Sequence, residues 1–468
     1  MLKRLLVFPP MLLILLSGFL VTSTVTVHAA KVSNCVTPGA TNTQHGTLGG
    51  ANYTISVPSN WNGTLVLYSH GYVFSTSPLL NPAPDAGDAV TAAALLQQGY
   101  ALAGSSYSSN GWALQQAFHD QIALLDFFNQ TCGHPARTIA WGHSLGGIIT
   151  AGLIQLFPER FSGALPMCGV LAGGVGTWNQ ALDGAFAFNV LLAQSSLPIV
   201  HITNANGAFQ QAENILAAAQ QTPQGKAKIA LISAVSDTPG WFNRTLPEPA
   251  ANDFAAQEQN QFLWQSQVDF AFAFAARAEL ESRAGGNPSW NTGVDYRRQL
   301  ALSADRKEVE ALYKQAGLNL NRDLDMLEDA PRIAADPQAK AYLSRFVTFN
   351  GEMDIPVLSM HTTGDGLVVN QDEQAYSSVV RQGDDADMLR QIFVHRAGHC
   401  TFTPAETVAA FQTLIHRIDH GTWGNTTNPD QLNQEAAALG PAFNIAPPAF
   451  IRFRPTVFLR PFNAHSDD

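Results

Sequence analysis

Apolar and polar positions follow two rhythms along this chain, and the places where one gives way to the other mark out its parts. Residues 46–58 (GTLGGANYTISVP) alternate between apolar and polar, as expected of an early antiparallel strand with one solvated face. After a turn at Gly63, residues 64–68 (TLVLY) form an unbroken apolar run, the signature of a strand buried on both faces. Residues 85–98 read as a helix and 99–104 (GYALAG) as the next buried strand. Residues 112–130 place apolar side chains at 114, 117, 118, 122, 125 and 128, a helical spacing. His119 and Asp120 on that helix are expected to be surface or capping groups. A strand over 138–141, a helix over 147–157 and a strand over 161–167 complete the series. Short buried strands alternating with helices predict an α/β fold with a doubly wound, mostly parallel sheet.

From 171 to 348 the rhythm changes. Helical patterns over 178–193, 254–284, 304–316 and 322–335 replace the strands, separated by loops rich in Gly, Pro and Asn. At about 175 residues this stretch is nearly a domain in size. Its aromatic segment, Phe262-Leu263-Trp264 with 270–274 (FAFAF), either lines an apolar pocket or supplies the stretch's own core, and helical spacing favours the core. Strands resume at 356–360 (PVLSM) and 389–395 (LRQIFVH). Thr403-Pro404-Ala405-Glu406 then opens a helix, with Thr as N-cap, Pro at the first position and Glu406 reaching back as a cap. Beyond 422, the apolar residues 450–453 and 457–459 are expected to form an edge hairpin without an assigned function.

Composition narrows the class. The 468 residues are 46% hydrophobic and only 13% charged, with net charge −11, which is ample for a large core. An acidic balance without a basic stripe argues against nucleic acid as a partner. Lys3 and Arg4 precede an apolar run broken by Pro9-Pro10 and small or apolar residues at Val27 and Ala29. Residues 1–29 therefore read as a signal peptide, too short in its apolar part to span a membrane, so an exported protein without a stable membrane span is expected. The four cysteines, Cys35, Cys132, Cys168 and Cys400, suit an oxidising compartment, and none has metal-site spacing. No metal and no organic cofactor is expected.

The candidate chemistry is concentrated in residues 138–147, TIAWGHSLGG. Strand, Gly142-His143-Ser144-Leu145-Gly146 and helix follow one another directly, the context that gives a G-x-S-x-G pattern meaning. A serine on so tight a turn leaves room only for hydrogen two residues to either side. On these residues the chain resembles the α/β-hydrolase superfamily, in its branch of secreted serine esterases and lipases. The resemblance covers about 46–167 and 356–418. It implies a core in two parts, 30–170 and 349–420, with 171–348 as a large helical lid inserted after the sixth strand and 421–468 as a C-terminal extension.

The resemblance also implies roles. Ser144 would be the nucleophile. Asp365, in a Gly-flanked turn just after the strand at 356–360, stands at the family's position for the carboxylate, whereas Asp354 lies at the wrong end of the sheet and Asp372 and Glu373 suit a helix start. His399, in a Gly-preceded loop beyond the last strand, would be the base, and His395 a structural residue of that strand. Ser144, Asp365, His399 is the expected chain order. Ser69-His70-Gly71-Tyr72 looks like the oxyanion loop, with the Tyr72 and Leu145 N–H groups as donors. Cys168 ends a strand at the carboxyl edge of the sheet, and the Cys400 loop must fold over that same edge to bring His399 to Ser144. A Cys168–Cys400 disulfide is therefore expected, leaving Cys35 and Cys132 to pair. The implied activity is hydrolysis of carboxylic esters, of small molecules or polymers, through an acyl-enzyme. Two rivals stay open: a peptidase of the prolyl or tripeptidyl aminopeptidase kind, and a non-catalytic binding protein on the same fold.

Overall fold

The computed structural model of the protein describes residues 34–466, so the expected leader at 1–29 lies outside the described residues. The strands are β1 (Asn42–Leu48), β2 (Ala51–Val57), β3 (Thr64–Ser69), β4 (Ala101–Ser105), β5 (Arg137–His143), β6 (Gly163–Met167), β7 (Val357–Gly364), β8 (Leu389–Ala397) and β9 (Phe450–Ile451). They join in one sheet in the order β1-β2-β4-β3-β5-β6-β7-β8-β9. From β4 through β8 every pair is parallel, and antiparallel pairs occur at the two ends, β1 with β2, β2 with β4 and β8 with β9. This is the α/β, doubly wound, mostly parallel sheet that the strand–helix alternation predicts.

The buried runs act as expected. In β3, Leu65 and Leu67 point into one core with the helices Leu114–Thr131 and Leu145–Leu156. Val66 and Tyr68 point the other way, into a core shared with the helices Ala89–Gln97 and Pro404–His420. A strand covered on both faces has no polar position to give, which is why its sequence reads as continuous rather than alternating.

Three details differ from the sequence reading. Residues 46–58 are not one strand but the end of β1, a turn and β2: the two strands pair as a hairpin through Gly49 and Gly50, both at positive φ. The two glycines that looked like interruptions are the turn. The helix expected from 85 begins at Ala89, where the Asp88 carboxylate caps the Thr91 N–H, and Asp85 instead accepts a hydrogen bond from Ser56. At the C-terminus, Phe450–Ile451 adds one short antiparallel strand to β8, and 457–459 forms no strand among the described residues. Phe458 is buried instead, and Arg460 reaches Asp183 at 2.6 Å.

Between β6 and β7 the chain is helical, from Gly173–Leu191 to Pro337–Arg345. Four of these helices escaped the sequence reading: Ala205–Ala219, Pro223–Val235, Tyr296–Leu302 and Pro337–Arg345. Together the helices enclose a second core around Leu216, Ile229, Leu231 and Tyr313. Phe270 and Phe274 join that core, whereas Phe272 faces Tyr72 and Phe74 of the sheet's edge loop.

The helical layer buries several carboxyls. Glu308 is pushed up to about 9 by burial and then by the charge of Asp305, while burial lifts Asp305 and Glu258 to about 7. Each group binds its proton more tightly folded than unfolded. Its stabilising contribution is therefore complete below the ordinary carboxyl range and is lost as pH rises through about 7 and then about 9. The melting temperature is expected to be several degrees lower at pH 9 than at pH 6, with a smaller drop in Glu308→Gln. Calorimetry at the two pH values checks this, and a melting temperature that rises with pH would contradict it.

Candidate active site

Ser144 sits at the junction of β5 and the helix Leu145–Leu156, with φ 59° and ψ −122°. A non-glycine residue rarely occupies this region, and it persists only where its surroundings over-determine it. Those surroundings are backbone. A Cβ at Gly146 would fall on the Ser69 carbonyl, and one at Gly142 would lie 2.5 Å from both the Ser69 and Gly146 carbonyl oxygens. The Ser144 N–H donates to the Met167 carbonyl at 3.0 Å, tying the turn to the end of β6. The turn leaves the Leu145 N–H at the head of its helix, where it has no hydrogen-bond partner among the described residues.

The loop after β3 faces this turn. A Cβ at Gly71 would lie 3.3 Å from the Ser144 Cβ, so the loop approaches the serine at van der Waals distance. His70 holds the loop's shape: its ring stacks on Tyr107 with centroids 4.1 Å apart, and its Nδ1–H donates to the Gly71 carbonyl at 2.7 Å. Burial lowers the His70 pKa, so the ring stays neutral in this role. The Tyr107 hydroxyl in turn donates to the His70 carbonyl at 3.1 Å. The Tyr72 N–H has no partner among the described residues, and its ring packs on Phe74 and Phe272.

Asp365 and His399 meet at the other side. His399 Nδ1 lies 2.7 Å from Asp365 Oδ2, with the carboxylate fully buried. The other oxygen, Oδ1, accepts the Leu367 and Val368 N–H groups, each at 3.1 Å. A carboxylate fixed at both oxygens dictates the tautomer: Nδ1 carries the hydrogen and Nε2, 3.4 Å from Cys400 Sγ, is left without one. The His399 loop is anchored by a Cys168–Cys400 disulfide, with Cα atoms 5.4 Å apart. Its other end is held by the Gly398 N–H on the Gly364 carbonyl at 2.9 Å. Cys35 and Cys132 pair as well, with Cα atoms 4.9 Å apart. Cys168, His399 and Cys400 are close enough to suggest a metal site, but both sulfurs are consumed in the disulfide.

His143, beside the serine, is pushed down to about 4 by burial, with a further lowering from the charge of His399. It is neutral at pH 7. His119 is exposed and Asp120 buried, accepting the Ser108 N–H at 2.7 Å. His395 lies in β8 against Trp241, and Glu406 makes the expected capping box while also pairing with Arg396.

Two supporting residues escaped the sequence reading. His361 on β7 points Nδ1 at Glu373 Oε1 (3.3 Å) and Nε2 at the Val368 carbonyl (2.8 Å). Both partners are acceptors, so both nitrogens carry hydrogen and the ring is a cation 3.7 Å from Asp365 Oδ2. Burial opposes that charge, but the hydrogen bond and charge of Glu373, then the charge of Asp365, lift the ring to about 9. Glu373, read from sequence as a helix-start carboxylate, is fully buried in this role. The only signal for the pair was a histidine four residues before Asp365 inside the strand 357–364.

The disulfide carries a prediction. Replacing both Cys168 and Cys400 by Ala should lower stability by about 2–5 kcal/mol and frees the loop that carries His399. Turnover of any substrate that depends on His399 is expected to fall about tenfold or more with KM little changed. An unchanged kcat in the folded double variant would show that the crosslink does not position the histidine.

No family model matches this chain. It is 30% identical over 421 residues to the o-phthalyl amidase of Xanthobacter agilis, spanning 83% of this chain and 89% of that protein. Solved structures that resemble it include an esterase from Aspergillus oryzae (10% identity, 81% of this chain and 79% of that one, TM-score 0.40). Feruloyl esterase B from Aspergillus oryzae is 14% identical over 80% of this chain and 79% of its own, with TM-score 0.36. Pyrococcus horikoshii acylaminoacyl peptidase is 8% identical over 88% of this chain and 42% of its own, with TM-score 0.34. Likenesses this remote carry no argument. The sheet order and the amidase relative do: the chain belongs to the α/β-hydrolase superfamily, in the family of the Xanthobacter agilis o-phthalyl amidase.

Proposed function

We propose that the protein is a serine hydrolase that cleaves amides and esters of carboxylic acids through Ser144, His399 and Asp365. The observation that carries this reading is the 2.7 Å Asp365–His399 hydrogen bond, which sets Nε2 free as a base at the end of the sheet where Ser144 stands on its turn. The sequence reading named esters. The amidase relative supports amides equally, and the same steps serve both.

His399 Nε2 takes the Ser144 proton as the hydroxyl oxygen attacks the acyl carbon. The oxyanion develops toward the Tyr72 and Leu145 N–H groups, each worth on the order of 10²–10³ in rate. His399 then hands its proton to the leaving amine or alcohol, and water hydrolyses the acyl-enzyme by the same route in reverse. Asp365 steadies the imidazolium at each stage. The helices of 171–348 act as a lid, whose Phe272 reaches the proposed oxyanion loop at Tyr72. Two disulfides suit an exported protein, as the leader sequence implies.

Benzoyl anilide and phenyl benzoate, assayed side by side, test the reading. Both are expected to be cleaved, and Ser144→Ala should lose about 10⁴-fold or more in kcat with an unchanged melting curve. Asp365→Asn should lose nearly as much, and Asp354→Asn little. A Ser144→Ala variant keeping a tenth of wild-type activity would overturn the assignment.

A further inference from the structure

The segment between the helices Phe254–Trp264 and Arg277–Ala284 is π-helical, over Gln265–Asp269 and again over Ala271–Ala276. Such segments are rare and recur at functional sites, because the extra residue per turn re-aims side chains that an α-helix would send elsewhere. Here they bring four residues, Gln265, Asp269, Phe272 and Ala273, to the wall of one cavity of ≈ 110 Å³. At roughly 10–15 Å³ for a single water on this measure, that is room for several waters or a small ring.

None of the proposed catalytic residues lines the cavity, but two of its wall residues adjoin them. Leu367, whose N–H holds Asp365, forms part of its wall. Phe272 forms another part and packs on Tyr72 with centroids 5.4 Å apart, one residue from the Gly71 that faces Ser144.

Its walls are largely apolar, and its polar groups are unevenly satisfied. Each wall side chain that can donate makes at least one hydrogen bond within the protein. Thr177 bonds Asp372, Gln180 Nε2 donates to the Ser236 carbonyl, and Gln265 Nε2 donates to Ser233. Unmatched acceptors remain. The Gln265 side-chain oxygen, on a residue only 4% exposed, has no partner among the described residues. The Asp269 carboxyl, part of the cavity wall, makes no hydrogen bond or ion pair among the described residues. No Lys, Arg or His is found among the described residues that line the space.

A site with unmatched acceptors, no cation and apolar walls is complementary to one kind of group. We propose that this cavity is a substrate pocket for a compact apolar arm ending in an amine, whose N–H groups are received by Asp269 and the Gln265 side-chain oxygen. In the empty site, burial and secondly the charge of Asp365 push the Asp269 carboxyl well above the usual carboxylate range, and an ammonium group offsets both. A carboxylate-bearing arm finds no cation among the described residues that line the space. The proposal rests on the reading of the protein as a serine hydrolase for its assignment to substrate, but the binding itself does not require turnover.

Benzylamine, benzyl alcohol and benzoate serve as probes, titrated by calorimetry into the full chain and into Ser144→Ala. Benzylamine is expected to bind at least tenfold more tightly than benzoate to both proteins. Asp269→Asn should weaken benzylamine about tenfold while leaving benzyl alcohol within twofold, and Asp269→Ala, which needs no hydrogen bond in its place, should do the same. Benzoate binding as tightly as benzylamine, or a benzylamine affinity indifferent to both substitutions, would overturn the proposal. Benzylamine is further expected to compete with benzoyl anilide; binding without competition would overturn the pocket's assignment to substrate. Should no anilide or ester be cleaved at all, the serine-hydrolase reading fails, while the binding comparisons still decide whether the amine site exists.

Discussion

The active-site end of the molecule depends on one close approach of backbone to backbone. The Ser69 carbonyl at the end of β3 presses against Gly142 and Gly146 on either side of Ser144. No side chain fits at either glycine, so β3 and β5 end side by side and the chain must reverse into a helix within one residue. That reversal holds Ser144 at positive φ and leaves the Leu145 N–H without a partner among the described residues. It also brings the loop after β3 onto the serine, because β3 and β5 are parallel neighbours in register from Thr64 with Arg137 to Ser69 with Gly142. The proposed nucleophile and oxyanion donors are thus consequences of sheet register rather than separate features.

The other half of the site is held by different means. β7 and β8 deliver Asp365 and His399 from loops, and loops need fastening. The Cys168–Cys400 crosslink supplies one fastening and the carboxylate–imidazole hydrogen bond a second. Behind them the buried cation of His361 and its partner Glu373 lie against Asp365. A charge pair this deep is costly unless its hydrogen bonds are complete, and here both nitrogens of the ring are matched. The pair therefore fixes the floor on which Asp365 rests.

Much of this was legible in the sequence, for physical reasons that also explain the rest. The elbow, the strand-end Asp365 and the loop His399 are local patterns, set by glycines and strand ends within a few residues. The Cys168–Cys400 bond followed because catalytic geometry places both loops over one edge of the sheet. His361 and Glu373 were not legible, because each has an ordinary local reading and only the sheet brings them together. Asp269 left a fainter trace, a single acid inside the apolar run VDFAFAFA, whose orientation depends on a π-helical register that apolar spacing does not encode. Of the four unread helices between β6 and β7, Pro223–Val235 is buried on several sides, which blurs the one-sided stripe that marks a surface helix, and Leu343 of Pro337–Arg345 packs into the core shared with the sheet.

The central claim is that Ser144 is a nucleophile activated by His399. A fluorophosphonate forms a covalent bond only with a serine so activated, so the mass of the intact protein after exposure tests it directly. The account predicts a single adduct, mapped by peptide analysis to the peptide containing Ser144, and its loss in folded His399→Ala. An unmodified wild-type chain, or an adduct on another residue that persists in Ser144→Ala, would contradict it.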